Sequence, residues 1–300
     1  MESSKQTATS LCQTFREQLS SRVRSIEELL RQFLIGHAIL EHVSPDRGNV
    51  FFINMKGDHV YRRCDVDGRR LLGKIRIEFG RVTELMDVVL RGHGPDIVTS
   101  YVEGRKNIEA ILEYQWSHSK SCEQEAERAK SNFNKMLDVF ESLPDESDGI
   151  PLIIPDTNVL LEVAAFDRLQ FREFSNFCIL LTPTVLSEID RLKNGHRHDS
   201  VREKAHGLVR QLKEFRRRGS LLGGVKLTNK GPLIRLIACE PVFDHTLSWL
   251  DPSVPDDRII CSVIEAIRLH PRTPVYAASH DINFQNKAEY AGVPFTEPVR

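Results

Sequence analysis

The segment LIIPDTNVLLE, residues 152–162, decides the fold of the C-terminal half of this chain. Its first three residues are apolar and mostly β-branched, which is typical of a short buried strand. Asp156 stands at the carboxyl end of that strand, and Thr157 opens a second apolar run with helical spacing. A carboxylate in this position indicates either a helix N-cap or a ligand site at the edge of a sheet.

Strands and helices alternate along the chain from residue 151 onward. The predicted strands are LIIPD from 152, CILLTP from 178, PVYAAS from 274 and GVPFTEP from 292, and the predicted helices are 157–175, 184–193, 199–218 and 256–270. This alternation predicts a parallel sheet sandwiched by helices, an α/β fold. Ligands of such sheets bind at the carboxyl ends of the strands, which is where Asp156 is expected.

The first 141 residues follow a different pattern, which predicts an α+β domain of unknown role. Helical spacing extends over about 15–40, and turn-like sequences, KGD and DVDG, separate three antiparallel strands predicted near 49–54, 58–64 and 70–79. Two helices are predicted to follow, near 80–91 and 95–141. The segment from 142 is rich in Ser, Pro, Asp and Gly. We therefore divide the chain into 1–141, a linker at 142–150, and 151–300.

Composition limits the classes of function. The formal net charge is −1, so any nucleic-acid binding depends on a local patch of charge rather than on the whole molecule. The six cysteines form no CxxC pair, which favours reduced thiols in a cytoplasmic protein. The apolar stretch from Phe33 is too short to span a bilayer, and no membrane association is expected.

Acidic residues recur where predicted strands end and helices begin. They are Asp156, Glu188, Asp256, Asp257 and Asp281. Each has an ordinary explanation when taken alone, as an N-cap, a solvated helix residue or a turn former. Together they would repel one another at one edge of the sheet unless a cation neutralised them. Oxygen ligands favour Mg²⁺ or Mn²⁺, so one or two such ions are expected as cofactors.

Four motifs in this order resemble those of PIN-domain ribonucleases. They are IPDTNVLLE from 154, TPTVLSEIDRLK from 182, PDDRIICSVIEAI from 255 and ASHDINFQNKAEYAGVP from 278. The resemblance covers about 150–298 and is closer to the larger PIN subgroup, which includes the modules of PhoH-like proteins and of RNA-decay factors, than to the short toxins. It implies a metal-dependent endoribonuclease that leaves 5′-phosphate and 3′-hydroxyl ends.

The resemblance also implies roles for individual residues of this sequence. The family's acidic positions fall on Asp156, Glu188, Asp256 or Asp257, and Asp281, as metal ligands and catalytic carboxylates; Asp256 matches better, and Asp257 then supports it. Its polar supporting positions fall on Asn158, Ser279 and Asn283, and Lys287 matches the start of its last helix. His280 departs from the pattern, because relatives often carry Asn at this position. The resemblance does not extend to residues 1–141.

A basic segment follows Glu188 directly. Residues 191–219 carry ten Lys and Arg against three Asp and Glu. The segment is either a solvated amphipathic helix or a surface for the phosphate backbone, and its place beside the acids favours the second interpretation. The predicted nucleic-acid contacts are Arg191, Lys193, Arg197, Arg216, Arg217, Arg218 and, from the last helix, Lys287.

Three alternatives to this function remain open from the sequence. The acids also suit a DNA or structure-specific nuclease, and a PIN module can bind RNA without cutting it. A metal-free ribonuclease that uses His196, His198, His206 or His280 would leave cyclic phosphate ends instead. Single-stranded RNA is the expected partner, with DNA as the other option. The N-terminal part is expected either to pack internally, or to mediate self-association or contact with a regulatory partner.

Overall fold

A computed structural model describes residues 13–42, 59–144, 149–195, 197–229 and 231–299. Contacts group the described residues into two compact units. One lies within Leu19–Leu143, and the other combines the residues from Pro144 onward with those just before Leu19. None of the helices in these ranges is long and apolar enough to cross a membrane.

The N-terminal part combines helices with a small antiparallel sheet, which confirms the predicted fold class. The elements are α1 (Phe15–Gly36), β1 (Leu40–His42), β2 (His59–Tyr61), α2 (Val66–Val89), α3 (Pro95–Glu113), β3 (Trp116–Ser117) and α4 (Cys122–Asp138). The three strands pair in the order β1-β2-β3. In the core of the unit the Tyr61 and Tyr114 rings stack at 4.4 Å, and Phe79 packs edge-on against Phe133.

The predicted strand at 70–79 is wrong, because these residues belong to α2. Residues 75, 77 and 79 are apolar at alternate positions, but Ile77 is 58% exposed while Ile75 and Phe79 are buried with the helical period. The sequence DVDG is a helix start rather than a hairpin turn, since Asp65 caps α2 by accepting a hydrogen bond from Gly68 N at 2.6 Å. The helix predicted at 80–91 is the second half of α2.

Of the remaining predictions for the N-terminal part, one strand is confirmed and one helix is wrong. The predicted strand near 58–64 corresponds to β2, whereas the one at 49–54 lies outside the described residues. The single helix predicted for 95–141 is wrong. Tyr114 ends α3 in a left-handed conformation with φ 57°, the chain then forms β3, and Ser121 caps the separate helix α4.

The C-terminal unit is built on a sheet of six strands in the order β6-β7-β5-β4-β8-β9. Its strands are β4 (Leu152–Pro155), β5 (Cys178–Leu181), β6 (Val225–Lys226), β7 (Leu233–Leu236), β8 (Val275–Ala278) and β9 (Phe295–Thr296). Its helices are α5 (Thr157–Val163), α6 (Pro183–Gly195), α7 (Asp199–Arg218), α8 (Pro255–Leu269) and α9 (Ile282–Ala291). All pairings between these strands are parallel except that of β6 with β7.

This sheet confirms the predicted parallel architecture and adds two strands that the sequence analysis did not identify, β6 and β7. The first predicted helix is shorter than expected, because Ala164 ends α5 in a left-handed conformation with φ 55°. The central strands β4, β5 and β8 are buried on both faces. Their carboxyl ends therefore form the edge at which polar side chains reach solvent.

Candidate functional site

Asp156 lies at the carboxyl end of β4 and is almost completely buried, with 5% of its surface exposed. It caps α5, since its Oδ1 accepts a hydrogen bond from Val159 N at 2.7 Å. Its other oxygen, Oδ2, accepts a hydrogen bond from the Ser279 hydroxyl at 2.5 Å. The capping explanation is therefore correct, but it accounts for only one of the two carboxylate oxygens.

The electrostatic surroundings of Asp156 show that other acids are near. Burial raises the pKa of Asp156, and the charges of Asp256 and Asp281 raise it further, against the hydrogen bonds from Ser279 and Val159. The pKa of Asp256 is also raised, first by burial and then by Asp281, Asp257 and Glu188, while Lys287 lowers it. The structure thus brings together the five acids that the sequence analysis named.

Asp281 is connected to Asp156 through a single serine. The Asp281 backbone N–H donates to Ser279 Oγ at 2.9 Å, while the Ser279 hydroxyl donates to Asp156. Asp281 also caps α9 by accepting from the backbone N–H groups of Asn283 at 2.7 Å and Phe284 at 3.3 Å. Ser279 is fully buried, so this bridge fixes the spacing between the ends of β4 and β8.

Asp256 and Asp257 begin α8 but have different environments. Asp257 is buried, and its two oxygens accept from Lys287 Nζ at 2.6 Å and from the Asp251 backbone N–H at 3.0 Å. The Asp256 carboxylate makes no hydrogen bond to any other residue that the structure describes, although it is close to Asp281 and Glu188. Asp256 is therefore the acid of this pair that is available to a ligand.

Glu188 reaches the same edge from α6. Its Oε2 accepts a hydrogen bond from the Thr157 hydroxyl at 2.5 Å, and Arg191 lies 3.7 Å from its Oε1. Thr157 had no predicted role, although it follows Asp156 directly in the sequence. Its hydroxyl links the start of α5 to the second turn of α6 and holds Glu188 towards the other acids.

The model of one known protein family matches most of the C-terminal unit. Residues 153–297 match the family model described as PIN domain. The C-terminal half of this protein is a PIN domain. PIN domains are generally nucleases, so this half has a nuclease-type fold, while the N-terminal half remains unassigned. No curated protein sequence matches the chain significantly.

The donor set of the PIN domain fits a hard divalent cation in its chemistry. Every candidate ligand is a carboxylate, and the mutual repulsion of Asp156, Asp256 and Asp281 would be relieved by positive charge between them. In the part of the chain that the structure describes, no three His, Cys, Asp or Glu side chains are already spaced to hold an ion. The acids converge on one edge without forming a closed cage.

The predicted supporting residues occupy different positions. Ser279 orients Asp156 and Asp281 directly. Asn158 and Asn283 are exposed beside the acids, and Asn283 contributes its backbone N–H to Asp281. His280 lies between two further carboxylates, 3.7 Å from Glu162 and 3.9 Å from Glu297.

The predicted basic residues do not all lie on one surface of the PIN domain. Arg191 is beside Glu188, Lys193 pairs with Asp190 at 2.7 Å, and Lys287 pairs with Asp257. Arg197 lies past the C-terminal end of α6, which leads away from the acids. Only part of the predicted set is therefore near the carboxylates.

The C-terminal end of α7 returns to the carboxyl edge of the sheet. Arg216 and Arg217 are exposed there, and the carbonyl of nearby Leu221 accepts a hydrogen bond at 2.9 Å from Leu236 N, at the carboxyl end of β7. Arg218 instead donates to the carbonyl oxygens of Lys226 and Leu227 and lies over the Phe215 ring. Arg218 therefore holds β6 in place. Among the described residues, Arg216 and Arg217 make no hydrogen bond of this kind to a backbone carbonyl.

Glu240 is another acid at this edge that the sequence did not single out. Glu240 accepts hydrogen bonds from the Thr184 hydroxyl at 2.9 Å and from Arg258 at 2.5 Å. It therefore links the start of α6 to the start of α8, next to Glu188 and Asp256. Glu240 lies in an irregular connection after β7, where no sequence pattern distinguishes it from a solvated residue.

Proposed function

We propose that this protein is an endoribonuclease that hydrolyses phosphodiester bonds of single-stranded RNA with Mg²⁺ or Mn²⁺, leaving 5′-phosphate and 3′-hydroxyl ends. The observation that carries this proposal is the convergence of Asp156, Asp256 and Asp281 on one edge of the sheet, where each acts electrostatically on another. These three carboxylates come from three separate segments of the chain. A fold keeps such repulsion only where a cation or a reaction requires it.

The acids would share the binding of one or two ions. Asp156, Asp256 and Asp281 would be the main ligands, Glu188 of α6 would take part, and Asp257 would support Asp256. When bound, such an ion lowers the pKa of a water molecule and stabilises negative charge on the phosphoryl oxygens.

The chain itself supplies orientation and charge. Ser279 directs one oxygen of Asp156 and holds the Asp281 backbone, and Thr157 directs Glu188. Such neighbours of a ligand fix its orientation and are nearly as important as the ligand itself. Lys287 pairs with Asp257 and also lowers the pKa of Asp256, so its charge offsets part of the repulsion among these carboxylates. Arg191, Arg216 and Arg217 offer cations to the phosphates on either side of the cut.

The test is incubation of labelled single-stranded RNA and DNA of the same sequence with purified protein, with and without Mn²⁺. We expect the wild type to cut RNA only with metal, and Asp156→Asn and Asp256→Asn to be inactive. Asp190→Asn is the matched control, because Asp190 lies on α6 beside Glu188 but is exposed and pairs with Lys193. It should retain activity.

The nature of the products separates this proposal from its alternatives. Cyclic 2′,3′-phosphate ends without metal would show that a histidine mechanism, with His280 as the candidate in this site, operates instead. Cleavage of DNA alone would identify a DNA nuclease with the same acids. Tight RNA binding without cleavage by the wild type would identify a binding module.

A further inference from the structure

A cavity of about 630 Å³ opens beside the acidic cluster. Its lining includes Arg172, Glu173, His280, Phe295, Glu297 and Val299. The Ser279 backbone N–H donates to the Thr296 carbonyl at 3.3 Å, so the residues that follow β8 and β9 lie side by side at the carboxyl edge. His280 is the immediate neighbour of Asp281, about 3.8 Å away between Cα atoms. The cavity therefore adjoins the proposed site of cleavage.

The cavity presents an aromatic ring to solvent. Phe295 is 37% exposed, although most large apolar residues of the PIN domain are buried. It belongs to the edge strand β9, where it pairs with Ala277 of β8. An exposed ring on a fixed strand is suited to stacking against a planar ligand, because the strand holds the ring in place before binding.

Hydrogen bonds also fix the polar wall of the cavity. Glu297 Oε1 accepts from Gln285 Nε2 at 2.8 Å, and Gln285 also donates to the Ser279 carbonyl at 2.8 Å. Glu173 Oε2 accepts from the Thr296 hydroxyl at 3.2 Å. The second oxygen of Glu297, Oε2, lies 3.9 Å from His280 Nδ1, beyond hydrogen-bond distance, so it can accept from a ligand, as can Oε1 of Glu173. The wall is thus rich in acceptors at fixed positions.

The charge of the wall identifies which part of an RNA would enter. The carboxylates of Glu173 and Glu297 outnumber the one guanidinium of the lining, that of Arg172, so the wall has a net negative charge and the sugar-phosphate backbone is a poor occupant. A nucleobase is planar and uncharged, and its exocyclic amino group donates hydrogen bonds to carboxylates. Adenine, guanine and cytosine carry such a group, whereas uracil does not.

We propose that this cavity binds the nucleobase next to the scissile phosphate, stacked on Phe295 and selected for an exocyclic amino group by Glu173 and Glu297. This inference rests on the proposed function, because it assigns a base subsite to the same site of cleavage. Such a subsite would give the protein a preference for the base next to the scissile phosphate. The carboxylates alone cannot provide this preference.

The test measures equilibrium binding of short oligoadenylate and oligouridylate, with Ca²⁺ in place of Mg²⁺ or Mn²⁺ to limit cleavage. We expect Phe295→Ala to weaken oligoadenylate binding by about 5- to 150-fold, the range for loss of one stacked base. Oligouridylate should be bound more weakly by the wild type and be less affected by the substitution. Phe295→Trp should retain the affinity of the wild type.

Tyr290→Ala is the matched control, since Tyr290 is an exposed aromatic residue of α9, with 51% of its surface accessible, outside the lining of this cavity. It should leave binding unchanged. An abasic site next to the cut should weaken wild-type binding but should cause little additional loss in Phe295→Ala. Equal affinity of Phe295→Ala and wild type, or an equal loss in Tyr290→Ala, would overturn the proposal.

Failure of the subsite and failure of the proposed function give different results. If the wild type cuts RNA but Phe295→Ala has unchanged affinity and base preference, only the subsite is wrong. If the wild type cuts no nucleic acid, the proposed function fails, and the binding comparison still decides whether the cavity holds a base. If the wild type does not bind the RNA, both are wrong.

Discussion

Lys287 Nζ lies 2.6 Å from Asp257 Oδ1, so the second acid of the Asp256–Asp257 pair already has its cation. The pair joins α9 to the start of α8, and Asp257 is buried while Lys287 is about one-third exposed. The neighbouring Asp256 carboxylate has no such hydrogen bond among the described residues and lies close to the other acids of the cluster. The two adjacent aspartates therefore have different environments, one paired with a cation and one facing other acids.

This difference predicts that one substitution lowers stability, whereas a similar one abolishes cleavage. Asp257→Asn should lower the free energy of unfolding by about 1–3 kcal/mol, less than for a completely buried pair because Lys287 retains access to water. Asp256→Asn should abolish cleavage without loss of stability. Thermal unfolding and RNA cleavage measured on both variants check the prediction, and a destabilised Asp256→Asn would contradict it.

Removal of the Ser279 hydroxyl should destabilise the PIN domain. Ser279→Ala leaves Asp156 Oδ2 and the Asp281 N–H without this partner in a buried setting, which should cost about 1–3 kcal/mol. Ser262→Ala is the control, because Ser262 is equally buried and its hydroxyl donates to the Arg258 carbonyl of its own helix. Urea unfolding of the two variants should show a clearly larger loss for Ser279→Ala.

The stability of the metal-free protein should depend on pH through Asp156. Burial raises the pKa of Asp156 above its value in the unfolded chain, about 3.9. Its favourable contribution is therefore complete below that value and is lost as pH rises through the folded pKa. Asp156→Asn should be as stable as the wild type or more so at neutral pH in EDTA, and any advantage should vanish towards pH of about 4. Melting temperatures across this range test the sign; an Asp156→Asn variant that is less stable than the wild type at neutral pH would contradict the prediction.

Divalent cations should raise the melting temperature of the wild type. Mg²⁺ or Mn²⁺ that binds only the folded protein raises its melting temperature as the concentration exceeds the dissociation constant. The shift should be absent or much reduced in Asp156→Asn and Asp256→Asn and retained in Asp190→Asn. An equal shift in all four proteins would mean that the ions bind elsewhere.

The two exposed arginines at the end of α7 should contribute to RNA affinity. Replacing Arg216 and Arg217 with Ala should weaken binding for all sequences and reduce the slope of log affinity against log salt by about 1 for each phosphate that is no longer neutralised. Arg218→Ala should instead lower stability, since it frees the carbonyl groups of β6 and the following residue. Arg70→Ala, at an exposed position of the N-terminal part, serves as the control for loss of a surface charge.

The C-terminal half was predictable because its signals are local. Each acid is next to a short apolar strand or a helix start, and parallel strands bring their carboxyl ends to one edge. The family resemblance favoured Asp256 over Asp257 but left the choice open, because both occupy the first turn of α8. That distinction depends on Lys287, which is about thirty positions away along the chain. The same holds for Thr157, whose partner Glu188 lies on another helix.

The N-terminal part was less predictable because its patterns are ambiguous. Ile75, Ile77 and Phe79 alternate as in a strand, yet the same residues fit a helix in which Ile77 faces solvent. The strand β3 is only two residues long and pairs with β2 from a distant position, so tertiary contacts rather than local preference define it. The missed strands β6 and β7 are also short and lie in a long connection.

The Ser279 bridge has a consequence for which ion the protein prefers. Its hydroxyl donates to the Asp156 carboxylate and accepts from the Asp281 backbone N–H. The distance between Asp156 and Asp281 is therefore fixed before any ligand binds. Mg²⁺ requires oxygen atoms at about 2.0–2.1 Å, whereas Ca²⁺ takes more of them at about 2.3–2.6 Å. A preset gap that cannot widen freely would hold the larger Ca²⁺ more weakly than Mg²⁺. If the proposed site holds a metal, we therefore expect its discrimination by ionic radius to depend on Ser279, whose hydroxyl is already bonded to Asp156 and Asp281.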